Sequence, residues 1–230
     1  MNNNFNKFKN DIKRILGNKE YITVFLYGSK AVGLSHNLSD TDVMIVSHSD
    51  SLRIEPSPEL EMQVISIANI EKAAKDMLES KFFNNNSQIL LANLYHGVAL
   101  LNSTNFNAIK QSLQWDIIIH NMIDDRLRGY EFYKKDAYKY YNTLDCNSSR
   151  FCFQKSLESL IDAYMFSKNR LIVKEKWRIK WLQQNNSQLY DELISLYCTI
   201  WSNEALSSVI SRLESYCTKI LQLIQEGDYE

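Results

Sequence analysis

From Thr104 onward the chain runs without a single proline, and only Gly129 and Gly227 interrupt it as glycines. Apolar residues recur there at spacings of three and four. The pattern holds through "FNAIKQSLQWDIIIHNMIDDRLRGYEFYKKDAYKYY", "CFQKSLESLIDAYMFSKN", "KEKWRIKWLQQ", "QLYDELISLYCTIW" and "ALSSVISRLESYCTKILQLI". A long stretch with that period and no strong breaker can bury its apolar stripes only against other helices, so it predicts an all-α bundle. The preceding hundred residues read differently. "YITVFLY" and "TDVMIVSH" are short, apolar and β-branched, as buried strands are. "ELEMQVISI" alternates, with Met62, Val64 and Ser66 on one face and Glu61, Gln63 and Ile65 on the other. Helical patterns cover "FNKFKNDIKRILG", "ANIEKAAKDMLES" and "NSQILLANLYHG", and "VALLN" reads as a short strand or extended tail. Pro56 and Pro58 fall in the connecting loop "RIEPSPE". The expected architecture is α+β: a mixed sheet with helices over residues 1–103, then a helical domain over 104–230.

Composition excludes several classes. With 45% hydrophobic residues the chain can bury a substantial core, and a formal charge of −1 does not make a general nucleic-acid binder. No apolar run reaches membrane-spanning length, and the first residues lack the core of a signal peptide. Cys146, Cys152, Cys198 and Cys217 are scattered with no CxxC pair, and read as reduced thiols of a cytoplasmic protein. The basic-aromatic segment "RLRGYEFYKKDAYKYY" places Tyr130, Tyr133, Tyr140 and Tyr141 near helical spacing, so it is read as packed surface rather than a nucleic-acid platform.

The chemistry lies in "YGSKAVGLSHNLSDTDVMIV". On a strand, residues i and i+2 share a face about 7 Å apart. Asp40 and Asp42 would then face one space, and two like charges so placed need a cation between them. Oxygen ligands of this type suit Mg²⁺, which keeps waters and completes its shell with substrate phosphates. The Gly28-Ser29 turn offers close backbone approach, N–H groups and a hydroxyl for those phosphates.

Hydrophobic-Gly-Ser, about ten residues, then Asp-x-Asp and an apolar run resembles the signature of the DNA polymerase β-like nucleotidyltransferase superfamily. That resemblance implies a third carboxylate on a neighbouring strand. Glu59 and Glu61 share a face there, and because Pro58 cannot sit inside a paired strand, Glu61 is the better placed. "LEMQVISI" resembles the corresponding strand of the aminoglycoside (streptomycin/spectinomycin) adenylyltransferases, which implies that Glu61 is the catalytic base and shares in holding metal. "LIVKEKWRIKWL" is similar to a stretch of the helical domain of those enzymes, and implies a triphosphate contact for Lys174. Trp177 and Trp181, four apart, are read as core. One departure stands out: where the streptomycin-type enzymes carry an acidic triplet that helps hold a cationic drug, this chain has Ser148-Ser149-Arg150, with Asp145 and Asp162 nearby as substitutes.

The expectation is a Mg²⁺-dependent transfer of a nucleoside monophosphate, AMP from ATP, to a hydroxyl of a small acceptor of the aminoglycoside-antibiotic type. Two alternatives are a nucleotidyltransferase acting on a protein or tRNA, and a catalytically silent nucleotide-binding protein.

Overall fold

The computed structural model describes residues 2–35, 39–58, 60–79, 85–172, 174–202 and 204–226, with side chains from residue 8 onward. It divides into two compact units, Met1–Trp115 and Asp116–Glu230.

The first unit opens with α1 (Asn2–Leu16), followed by β1 (Thr23–Tyr27), the single turn α2 (Gly28–Ala31) and β2 (Asp42–Ser47). Then come β3 (Glu61–Ser66), α3 (Ile67–Glu79), α4 (Asn85–His96), β4 (Val98–Leu101) and α5 (Ser103–Gln111). The sheet order is β3-β2-β1-β4. β1 runs antiparallel to both β2 and β4, and β2 runs parallel to β3, so the sheet is mixed as expected. "VALLN" thus contributes a paired edge strand.

Both faces of the sheet are covered. Ile12 and Leu16 of α1 pack with Val24, Leu26, Val43 and Ile45 on one side. Ile70 of α3, Leu94 of α4 and Phe106 of α5 pack with Phe25, Tyr27, Met44 and Val46 on the other. This double cover explains why β1 and β2 are apolar at nearly every position while the edge strand β3 alternates. α5, whose period continues that of the later helices, belongs with the first unit. Its Phe106 ring sits 5.0 Å from that of Phe25, and the compact units divide after Trp115.

The second unit is all helical: α6 (Trp115–Asn142), α7 (Cys146–Ser167), α8 (Glu175–Asn185), α9 (Ser187–Ile200) and α10 (Leu206–Glu226). α7 is its centre, buried along most of its length and packed on α9 and α10. The α+β class, a mixed sheet with helices and then an all-α region, is the one that the pattern of periods predicts. No helix among the described residues is long and apolar enough to cross a membrane.

Candidate active site

β1 ends at Tyr27, and the next two residues turn the chain into α2. Gly28 makes that turn with φ +73°, a conformation that favours glycine. Its bare α-carbon also faces a carboxylate: a Cβ there would lie 2.0 Å from Asp42 Oδ2 and 2.8 Å from its Cγ. The Gly-Ser turn and the second aspartate are therefore neighbours in space. Ser29 is buried beside them, and its carbonyl accepts a hydrogen bond from the Leu34 N–H at 2.9 Å.

Register places the carboxylates. Asp42 stands opposite Tyr27 across the antiparallel pair and opposite Glu61 across the parallel one. Directly paired residues share a face, so Tyr27, Asp42 and Glu61 form one row across three strands, at the rim of the face covered by α3, α4 and α5. Burial pushes the Tyr27 phenol far above its ordinary range, and the charges of Asp42 and then Glu61 push it further. It stays a neutral hydroxyl at any working pH. Nothing in the sequence marked Tyr27, because its place in the row depends on pairing across a long loop.

Asp40 differs from the strand-borne position expected of it. β2 begins only at Asp42, so Asp40 sits in the approach to the strand, exposed where Asp42 is buried. Asp40 and Glu61 both line a cleft of about 450 Å³ that also carries Pro56, Ser57 and Pro58. Thr41 between the aspartates is buried, and its carbonyl accepts the Glu61 N–H at 3.0 Å. Its hydroxyl accepts a hydrogen bond from the Lys30 ammonium. Lys30 and Thr41 were not anticipated as site residues; their link spans the loop, which periodicity does not reach. Glu59, the alternative third carboxylate, lies outside the described residues.

Among the described residues no three Cys, His, Asp or Glu side chains gather into a ready-made metal cage. The donors present are carboxylate oxygens, exposed at Asp40 and Glu61 and fixed at Asp42 beneath the missing Gly28 side chain. An oxygen-only, incomplete set of this kind fits Mg²⁺, which takes few protein ligands and shares the rest with water and phosphate.

Lys174 belongs to the second unit. It is exposed at the extended N-cap position of α8, its ammonium 4.9 Å from the Trp177 ring centre. Trp181 is core, edge-on to Tyr164, while Trp177 is half-buried beneath Lys174 and Lys176. The suggested acidic substitutes are structural. Asp162 is buried and takes a bidentate pair from Arg178, Nε to Oδ1 at 2.8 Å and Nη2 to Oδ2 at 3.0 Å. Asp145 caps α7 by accepting the Ser148 N–H at 3.1 Å. Ser149 donates to the Ala137 carbonyl, and Arg150 donates to the carbonyls of Ile200 and Glu204. That segment holds the bundle together, and Asp162 has no oxygen left for a cationic drug. Tyr130 is buried; Tyr133, Tyr140 and Tyr141 are half-buried.

The sequence matches no protein-family profile and no curated protein. In structure the chain is similar to a nucleotidyltransferase-like protein from Exiguobacterium sibiricum, over 95% of this chain and 75% of that one, with a TM-score of 0.52 and 10% identity. A likeness at that identity is one of fold, and it runs through both units. The chain has a nucleotidyltransferase-like fold.

Proposed function

We propose that this protein transfers a nucleoside monophosphate, AMP from ATP, to a hydroxyl of a small acceptor in a Mg²⁺-dependent reaction. The observation that carries this reading is the Gly28–Asp42 approach: the turn suited to phosphate and the carboxylate suited to metal meet at one strand end, in a nucleotidyltransferase-like fold.

Gly28 and Ser29 bind phosphate oxygens. Asp40 and Asp42, joined by Glu61, would hold Mg²⁺, which when bound would supply charge to offset that developing on the transferred phosphoryl group. Glu61, at the cleft wall, takes the proton of the acceptor hydroxyl. The acceptor oxygen bonds to the α-phosphorus, the bond from that phosphorus to the bridging oxygen breaks, and pyrophosphate leaves. The buried Tyr27 hydroxyl stays protonated and supplies no competing base. A cleft of about 450 Å³ is the size of a small-molecule site. An aminoglycoside-type antibiotic remains one acceptor to test; the engagement of Asp162 with Arg178 removes one support for it.

The test is transfer of label from α-labelled ATP with Mg²⁺, against aminoglycosides, lincosamides and tRNA in parallel. Product with a small hydroxylated molecule that disappears in Asp42→Asn supports the reading. Product only with tRNA or with the protein itself moves the acceptor class. Absence of nucleotide binding altogether refutes it.

A further inference from the structure

We infer that the Tyr27 hydroxyl is a catalytic hydrogen-bond donor, placed on the leaving-group side of the phosphorus that this site transfers. The inference rests on the proposed nucleotidyl transfer and deepens it.

Tyr27 closes β1 and is only 3% exposed. Its ring packs with Met44, Ile70 and Leu94, and stands edge-on to Phe25 with 6.4 Å between ring centres. Among the described residues its hydroxyl has no hydrogen-bond partner, yet it is not sealed from water. A ring fixed by the core thus presents an unused hydroxyl at the rim. Register sets that rim in order: Glu61 on β3, Asp42 on β2 and Tyr27 on β1 stand side by side on one face. Neighbouring strands lie about 4.8 Å apart, so Glu61 and Tyr27 are roughly 10 Å from each other across the row. An in-line displacement needs room of that kind: a phosphorus between two oxygens, each with a hydrogen-bonding group beyond it. The two outer groups also differ in the required sense. Glu61 lines the acceptor cleft and takes a proton, whereas Tyr27 adjoins the Gly28-Ser29 turn, on the side of the outgoing phosphates. Burial, then the charges of Asp42 and Glu61, keep the phenol neutral, so it donates and adds no negative charge to a rim of carboxylates. As the bond from phosphorus to the bridging oxygen breaks, that oxygen takes the electron pair, and a donor facing it binds more strongly than before. The phenol keeps its own proton, and pyrophosphate leaves as the anion.

The test is single-turnover transfer from α-labelled ATP with Mg²⁺ in the full-length protein, wild type against Tyr27→Phe. The acceptor is whichever of the aminoglycosides, lincosamides and tRNA takes label from wild type. Tyr27→Phe keeps the ring and its packing and loses only the donor. The rate of transfer should fall about a hundredfold, while Mg-ATP affinity by calorimetry stays within about threefold. A structural role could also slow transfer, so the leaving group is varied. Analogues of ATP with methylene, fluoromethylene or difluoromethylene in place of the β,γ-bridging oxygen release progressively less basic leaving groups. A more basic leaving oxygen gains more from a donor. The Tyr27→Phe defect should therefore grow severalfold from the difluoromethylene to the methylene analogue. An equal defect with every analogue, or a loss confined to Mg-ATP affinity, would overturn the assignment. Should wild type transfer label to none of the acceptors, the proposed function falls and this inference with it. Should wild type transfer while Tyr27→Phe does so equally fast, only the role of Tyr27 falls.

Discussion

Replacing Gly28 by alanine should disable the site more than it destabilises the fold, and the two effects can be separated. The first cost is backbone. With φ at +73°, an alanine sits in the left-handed region at about 1–2 kcal/mol. The second cost is contact. The new methyl would stand 2.0 Å from Asp42 Oδ2, well inside ordinary van der Waals distance. The obstacle is a side chain rather than backbone, so Asp42 relieves the clash by swinging aside, by roughly an ångström or more. A displacement of that size in a catalytic group costs on the order of a hundredfold in rate. Gly17→Ala is the control. Gly17 also has positive φ, +53°, but a methyl there meets nothing within 4 Å, so it carries the backbone cost alone. Urea unfolding should place both variants about 1–2 kcal/mol below wild type. Mg-dependent ATP binding and transfer should collapse only in Gly28→Ala. If Gly28→Ala keeps the turnover of Gly17→Ala, Asp42 is not the metal-bearing carboxylate that its contact with Gly28 suggests.

Glu61→Gln should lower kcat at least a hundredfold while Mg-ATP affinity stays within a few-fold; Glu59→Gln, measured alongside, identifies which glutamate acts as base. Arg178→Met strands the buried Asp162 carboxylate, and chemical denaturation should show a loss of about 3 kcal/mol, the lower end for a broken buried pair because Arg126 Nε lies 3.9 Å from Asp162 Oδ2. The double change Arg178→Met with Asp162→Leu should recover most of that loss. Burial pushes the Cys217 thiol from about 9 up to about 11, so the unfolded chain releases that proton first. The stability this thiol contributes is present below pH 9 and lost as pH rises toward 11, with a slope of about 1.4 kcal/mol per pH unit that Cys217→Ala removes.

The elements were legible where period and breakers agreed. β1 and β2 stand out because both of their faces are covered, and α7, α9 and α10 because their stripes are regular. The boundary at α5 was not. "FNAIKQSLQWDIIIH" keeps one helical rhythm across Ser112–Gln114, a break made without glycine or proline. It is held instead by the Trp115 indole donating to the Lys110 carbonyl at 2.8 Å. In the site, the residue types and their order pointed to Asp40, Asp42, Glu61, Gly28 and Ser29, but which of them touch depended on strand register. The pairing of Asp42 with Glu61 is a parallel contact across a proline-bearing loop, and no local signal encodes it. Asp162 misled for a different reason. A carboxylate on a helix gives no hint in sequence that an arginine sixteen residues later will take both its oxygens.

Register is also where fold and chemistry constrain one another. Slipping a strand by one residue moves every side chain to the opposite face. For most strands the hydrophobic alternation forbids this, but β1 and β2 are apolar on both faces: Val43 and Ile45 would exchange with Met44 and Val46 at little cost in burial. The polar strand ends resist the slip. In the observed register Asp42 sits at the rim beside the bare α-carbon of Gly28. Shifted by one, its carboxylate would turn toward the face that packs on Ile12 and Leu16 of α1, where an ionised group without partners costs several kcal/mol. Thr23, at the far end of β1, adds a second lock, its buried hydroxyl donating to the Leu101 carbonyl of β4 at 2.8 Å. The aspartate proposed to hold metal is thus one of the groups that selects the sheet register, and the register in turn sets that aspartate against the Gly28-Ser29 turn. Substitutions that neutralise Asp42 should for this reason be judged on strand pairing as well as on turnover, since a site lost by slippage would expose altered amide protection along β2 whereas a site lost by chemistry alone would not.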